Sequence, residues 1–447
     1  MKKKLIVIIV LMLLISVAIP STGHIARNFI IKESNENNPI LNDNNWVKYY
    51  GGGQGEHCNY VMQTDDGGYI LVGETRSYGN GESDIWLIKA DAEGNKIWDK
   101  VYGGNDYEYG KVVQQTSDGG YILASATESF GPDPGSLNMW LFKTDSNGNI
   151  LWELFGTGDE RIYDVKETND GGYIFVGSIK GALDSDGTDL YILKIDEDGN
   201  TLWEKVFDND QGDQANSIDK THDGGYVICG STYSAPPRNY AIWLIKTDSN
   251  AEMEWNKSFK ATIYASAKMV HQTSDGGFLI TGTRALSEEW PNNEDIWLIK
   301  TDSEGNKVWE KVFGSEADDE PYSVFETNDG NYFVAGNQGR ELPLYLNWYD
   351  ILLVKFSVDG NELWKKTIGG LTNEGIRSAQ QTSDGGFILG GYKFNFTVGS
   401  SPVILLMKTD SEGNVPYSRA AYSPIDRSFK DSINLFPMLR LILKILV

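Results

Sequence analysis

From Asn45 to Tyr417 short apolar runs alternate with polar turns, and the alternation itself repeats. Each unit has two halves. The first reads roughly Thr-x-Asp-Gly-Gly-aromatic. Its Asp stands at Asp66, Asp118, Asp170, Asp223, Asp275, Asp329 and Asp384, at intervals of 52, 52, 53, 52, 54 and 55. The second reads roughly Asp-Ile-Trp-Leu-Ile-Lys-Thr-Asp-x-x-Gly-Asn-x-x-Trp and closes on Trp98, Trp152, Trp203, Trp255, Trp309 and Trp364. A period of about fifty built from short strands predicts a propeller or a related array. Seven equal units closing on one axis form one domain, which overrides the two or three suggested by chain length.

The first unit predicts four strands. Strand A covers Tyr60 to Thr64, Asp66-Gly67-Gly68 turns the chain, and strand B runs from Tyr69 to Gly73. A polar loop, Arg76 to Ser83, leads to strand C, Ile85 to Ala90. Glu93-Gly94-Asn95 turns again into strand D, Ile97 to Tyr102. Gly and Asn tolerate positive φ, so both turns are hairpin chemistry. Both tight turns then share one face of a disc, and the variable B–C and D–A loops share the other. The seventh unit has its strand C, Val403 to Lys408, and its Glu412-Gly413-Asn414 turn. It then departs at Val415-Pro416-Tyr417 with no Trp-x-Lys strand. The missing strand stands at the other end of the chain, at Asn45 to Gly52, where Trp46 completes the Trp series. The expected fold is all-β: a seven-bladed β-propeller of four-stranded blades, closed by the N-terminal strand completing the last blade. Closure pairs edges that would otherwise be adhesive.

The recurring Asp-Gly-Gly-Tyr-Ile and Trp-Leu-Ile-Lys-Thr-Asp-x-x-Gly-Asn segments resemble those of secreted β-propeller repeat proteins of archaea and bacteria. The likeness covers residues 45 to about 417 and recurs in seven units. It implies a fold and a surface location, and no reaction. The C–D hairpin, such as Lys300 to Trp309, is also similar to the Asp-x-x-x-Gly-x-x-x-Trp hairpin of quinoprotein propellers. That similarity concerns scaffold residues, not quinone ligands.

Composition agrees with many short strands and tight turns: 49 Gly, 23 Tyr and 13 Trp. The net charge of −24 repels phosphate backbones, which argues against nucleic acid as a partner. It favours solubility, cations or basic partners. Met1-Lys2-Lys3-Lys4, the apolar run Leu5 to Ile19 and the small-residue exit after it read as a secretory signal over 1–23, with an uncleaved anchor as the rival. Residues 24–44 and 418–432 read as linkers. Residues 433–447 read as an amphipathic segment too short to span a bilayer, with Arg440 and Lys444 on one stripe, suited to peripheral membrane contact. Cys58 and Cys229 fall in units one and four, too far apart around a ring for a bridge, and are expected as separate buried thiols.

Residues that recur in every blade are read as scaffold, because a chemical site is asymmetric. The Thr two before each turn Asp is expected to bond backbone at the hairpin, and the Asp to accept turn N–H groups. The strand C Lys (Lys89, Lys143, Lys194, Lys246, Lys300, Lys355, Lys408) is expected to find a carboxylate near the tight turns. Ten residues before each turn Asp stand Glu56, Glu108, Glu160, Asp213, Ala265, Asp319 and Glu374. One reading makes the six acids a ring at the channel mouth, holding Ca2+ or a cationic ligand. The other gives each acid its own blade's loop N–H groups. Asp184 to Asp189 carries the alternating Asp and Gly of a Ca2+ loop but lacks the distal Glu of a full EF-hand.

No catalytic constellation assembles. The four His occupy unrelated registers, and no zinc, nucleophile-elbow or phosphate-loop motif is present. A paired-carboxylate hydrolase or lyase remains open, with acids Asp159, Glu160, Asp318, Asp319 and Glu320 in the D–A loops and Arg161 and Tyr163 near. The least repetitive material is aromatic: Tyr233, Tyr240, Trp290, Tyr345, Trp348 and Tyr349, in the B–C loops of blades four to six. These rings suit stacking on sugars or peptides, or pack down on their blades. Asn256-Lys257-Ser258 and Asn395-Phe396-Thr397 match glycosylation sequons. The expectation is an exported, monomeric surface propeller that binds glycans, peptides or surface proteins on the variable-loop face. An extracellular carbohydrate-active enzyme and a surface-layer component are the alternatives.

Overall fold

The computed structural model describes residues 45–415, apart from residues 133, 158–159, 182–186, 209–211, 235–238, 286–293, 341–347, 371 and 395–400. Its hairpins are set by left-handed residues. The A–B turns use Gly67, Gly119, Gly171, Gly224, Gly276, Gly330 and Gly385, all at positive φ. The C–D turns use Gly94, Gly148, Gly199, Gly305, Gly360 and Gly413, and the fourth blade uses Ala251 at φ 56°. These turns and the apolar runs between them give seven antiparallel four-stranded sheets.

Strand A of each blade is innermost: β2 (Glu56–Gln63), β6 (Glu108–Gln115), β10 (Glu160–Glu167), β14 (Asp213–Lys220), β18 (Tyr264–Gln272), β22 (Glu320–Glu326) and β26 (Asn373–Gln381). Six sheets are consecutive. The seventh has the order β1-β28-β27-β26, with β1 at Trp46–Tyr50, β27 at Phe387–Phe394 and β28 at Val403–Thr409. Trp46 pairs with Lys408 and Tyr50 with Ile404. The N-terminal strand therefore completes the last blade, as the two incomplete ends require.

Core side chains mesh between blades. One cluster joins Ile122 and Leu141 of blade two to Phe175 and Tyr191 of blade three. The closing Trp of each blade docks on the C–D turn of the next. A Cβ on Gly94 would lie 2.4 Å from the Trp46 ring, and one on Gly305 2.6 Å from Trp255. Glycine is thus required twice at these turns, for its φ and for the ring above it. Trp46 Nε1 also donates to Ala92 O at 3.2 Å, which fastens the last blade to the first.

The strand C lysines are buried, and each meets its turn Asp: Lys89–Asp66 at 2.9 Å, Lys143–Asp118 at 2.8 Å, Lys355–Asp329 at 2.6 Å, and so around the ring. The Thr differs from expectation. Its side chain donates to the Asp carboxylate (Thr64 Oγ1 to Asp66 Oδ1, 2.6 Å), while its backbone closes the hairpin with Gly67 and Gly68. A buried ammonium needs its carboxylate oriented, and the hydroxyl does that. Cys58 and Cys229 are separate buried thiols.

Strand A is longer than its pattern predicts. In blade one it starts at Glu56, not Tyr60, because a β-bulge at Asn59 breaks the alternation midway. All seven A strands carry a register shift at the corresponding residue.

Candidate binding site on the propeller axis

The bulge builds the site. A bulge sets two successive residues against one partner and turns the strand locally. Here the bulged residue, seven before the turn Asp, and the residue after it both face the axis. The bulged ring is Asn59, Lys111, Tyr163, Asn216, Lys268, Tyr322 and Arg377. The ring beneath is Tyr60, Val112, Asp164, Ser217, Met269, Ser323 and Ser378. All fourteen line one cavity of about 490 Å³, which reaches from Tyr264 near the variable-loop end down to Lys166. That volume lies in the range of small-ligand sites.

Lining positions are where the blades differ. The scaffold lysine is the same in every blade, whereas the bulged position carries three cations, two tyrosines and two amides. The amides brace the wall: Asn59 Nδ2 donates to Gly110 O and Asn216 Nδ2 to Ala267 O, each at 2.7 Å and each in the next blade. Arg377 donates to Asn59 Oδ1 and lies 5.9 Å from the Tyr392 ring centroid. Tyr322 donates to Glu320 at 2.6 Å. Burial lowers the Lys111 pKa, and nearby Arg377 and Arg161 add to it against the opposing Glu74. His57 is pushed down to about 4 by burial and then by Arg377 and Arg76.

Deeper in, the cavity is crossed by charge. Asp164 is its only lining carboxylate among the described residues. It accepts from Lys166 at 3.1 Å, Ser217 Oγ at 3.1 Å and Ile218 N at 3.0 Å. Burial opposes the charge of Lys166, but Asp164, Tyr60 and Asp219 outweigh it and raise its pKa. His271 holds Asp219 at 3.1 Å. A carboxylate pair for glycoside chemistry is not assembled by the residues lining this cavity.

The six acids at the strand openings are buried. Glu108 accepts from Gly104 N at 2.9 Å and Thr127 Oγ1 at 2.8 Å, and Glu160 from Thr157 N at 2.8 Å. Asp319 accepts from Gly339 N at 3.0 Å, and Glu374 pairs with Lys393 at 3.0 Å. Glu56 accepts from Ser77 Oγ. Asp213 is buried as well. Among the described residues no three His, Cys, Asp or Glu side chains gather as a metal site. Burial raises Asp319 to about 6 despite its loop hydrogen bonds, and Asp350 reaches about 6 by burial against Arg340.

The expected aromatic patch is resolved in part. Tyr233 and Tyr240 pair at 4.6 Å between centroids, and Tyr240 meets Tyr264 at 5.3 Å, which leads to the cavity mouth. Tyr240 is 41% exposed. Trp348 is half-buried with the Arg340 guanidinium 5.9 Å from its ring centroid. Trp290, Tyr345, the first half of the Asp184–Asp189 loop, the second sequon, the signal segment and the tail lie outside the described residues. Residue-type reading missed the bulged ring. Its signal was present in the repeat: aligning the seven units on their turn Asp exposes a column of unlike polar residues inside strand A.

No protein-family model matches the chain, and no curated protein does either. Solved structures similar to it include Sqt1 from Chaetomium thermophilum, at 9% identity and TM-score 0.46 over 81% of this chain and 98% of that one. The β-propeller domain of the Trilobed protease from Pyrococcus furiosus matches at 10% identity and TM-score 0.44, over 82% and 99%. A protein of unknown function from Bacteroides caccae matches at 12% identity and TM-score 0.39, over 70% and 94%. Likenesses this distant carry no function across.

Proposed function

We propose that this protein is a binding module, exported and displayed at the cell surface, that takes a glycan ligand through its variable-loop face into the axial cavity. One observation carries the reading. The bulged positions that line the cavity are ones at which the repeat abandons its own pattern, while the strand C Lys, the turn Asp and the Thr two before it recur in all seven blades. Tyr233 and Tyr240 lie at the paired ends of strands B and C of blade four, not in the loop between them, and with Tyr264 they extend that surface to the cavity mouth; exposed ring faces suit sugars. Export rests on the basic and apolar segment of residues 1–23, and peripheral membrane contact on residues 433–447. The secreted-propeller resemblance of the blade motifs points the same way.

A glycan array probed with the purified protein, with Ca2+ in one arm and chelator in the other, tests the reading. Selective binding that Tyr240→Ala weakens supports it. Loss of that binding in chelator would add Ca2+ as a cofactor. A blank array removes the glycan reading and leaves protein partners or surface-layer assembly.

A further inference from the structure

Resting on that reading, we infer that the axial cavity selects an acidic saccharide, its carboxylate held by Arg377 and by the ammonium groups of Lys111 and Lys268. The chain as a whole is strongly acidic, with 63 Asp and Glu against 39 Lys and Arg. Its repeated cations are engaged: each of the seven strand C lysines has a carboxylate within 3.0 Å. Lys111, Lys268 and Arg377 stand apart. They belong to blades two, five and seven, occupy the same bulged position, and line one cavity. None of the three forms an ion pair with a described residue, and the one carboxylate in the wall, Asp164, is already taken by Lys166, Ser217 and Ile218. The cavity lining thus carries four cations against one carboxylate inside a negative protein, with Glu74 near Lys111 and Glu294 near Lys268 but outside the lining, and low-dielectric walls focus such a field.

Arg377 is prepared for a planar anion. Asn59 Oδ1 takes one of its N–H groups and the Tyr392 ring lies beside the guanidinium, so its orientation is set before a ligand arrives. The remaining donors match a carboxylate's two oxygens. Tyr163 and Tyr322 stand in the same ring and offer apolar faces between the cations, the arrangement that a sugar ring bearing an acid group requires. A simple inorganic anion would leave those faces and most of the 490 Å³ unused.

The test is calorimetry on the full chain with di- and trisaccharides of glucuronate and galacturonate, each beside its neutral hexose counterpart. At least one uronate is expected to bind about tenfold or more tightly than its neutral partner, with affinity falling as salt rises. Arg377→Met should remove that preference, and Arg377→Lys, which keeps the charge without the fork, should restore part of it. Lys268→Met provides a further variant, since Lys268 is exposed and makes no hydrogen bond that the fold relies on. Equal binding of acidic and neutral sugars overturns the selection of acid while leaving the binding module standing. A preference for acid that persists in Lys111→Met/Lys268→Met/Arg377→Met places the anion elsewhere and overturns the site. No binding of any saccharide overturns both this inference and the reading beneath it.

Discussion

The fourth blade contains a natural experiment at one residue. Its C–D turn places Ala251 where six blades use Gly, at φ 56°, in a core cluster that Trp203 packs against and with no exposed surface. An L side chain in the left-handed region costs about 1–2 kcal/mol, and a buried methyl returns about 0.8 kcal/mol. Ala251→Gly is therefore expected to leave stability unchanged or raise it by up to about 1 kcal/mol. Gly305→Ala creates the same conformation with a Cβ 2.6 Å from the Trp255 ring, and is expected to lower stability by about 2 kcal/mol or more. Urea unfolding of both variants checks the pair, and equal destabilisation would show that the ring, not φ, sets the cost.

At the scale of the element, the bulge in strand A decides the site. Side chains alternate with period two along a strand, and the bulge sets two successive residues on one face, so each blade gives the axis one side chain more than a regular strand would. Lys268→Ala should change stability by no more than about 0.5 kcal/mol, because Lys268 is exposed and unpaired. Deleting Lys268 should cost more than that, because the strand must give up the local twist that the bulge provides, although Ala265 and Ala267 keep their faces. Hydrogen exchange in β18 would locate the damage; a deletion that behaves like the substitution would show the bulge to be dispensable. A second bulge lies in strand D. There it leaves Ile97, Leu151, Leu202, Val308 and Leu363 at least half exposed on the rim. A distorted outer strand discourages edge-to-edge pairing.

For the whole molecule, closure and acid stability follow from repetition. Removing Trp46–Tyr50 would strip β28 of its partner and Gly94 of its Trp. The truncated chain is expected to melt lower and to self-associate through the bared edge, as size-exclusion chromatography would reveal. The turn Asp carboxylates titrate together. Burial alone would raise them, but Thr and Lys partners hold Asp66, Asp118, Asp170 and Asp223 at about 2, and lower Asp275, Asp329 and Asp384 as well. Their folded pKa lies below the unfolded value of about 3.8. The stability they confer is present above about pH 4 and is lost as pH falls through about 2. Asp319 and Asp350 act in the opposite sense: raised to about 6, they favour the fold below about pH 4 and withdraw that contribution as pH rises through 6. Thermal melts from pH 2 to 8 should show a steep acid limb, and Asp118→Asn should make that limb shallower while lowering stability at pH 7. An unchanged limb would mean that the Lys143 pair is not ionic in solution.

The sequence by itself determined the number of blades, the hairpin turns, the Trp series and the exchange of a strand between the two ends. These are local or strictly periodic features: a Gly that must adopt positive φ and an aromatic recurring at a fixed interval announce themselves wherever they stand. It also contained the bulged column, but as seven unlike residues about 52 positions apart, with no motif among them. Only the tertiary structure decided that these side chains share one cavity, because a bulge is invisible to a period-two pattern and an axis exists only once the ring has closed. The same holds for the acids at the strand openings. Sequence left open whether they gathered or served their own loops, and the packed structure shows them buried in their own blades, hydrogen-bonded to loop N–H and hydroxyl groups at Glu108, Glu160 and Asp319.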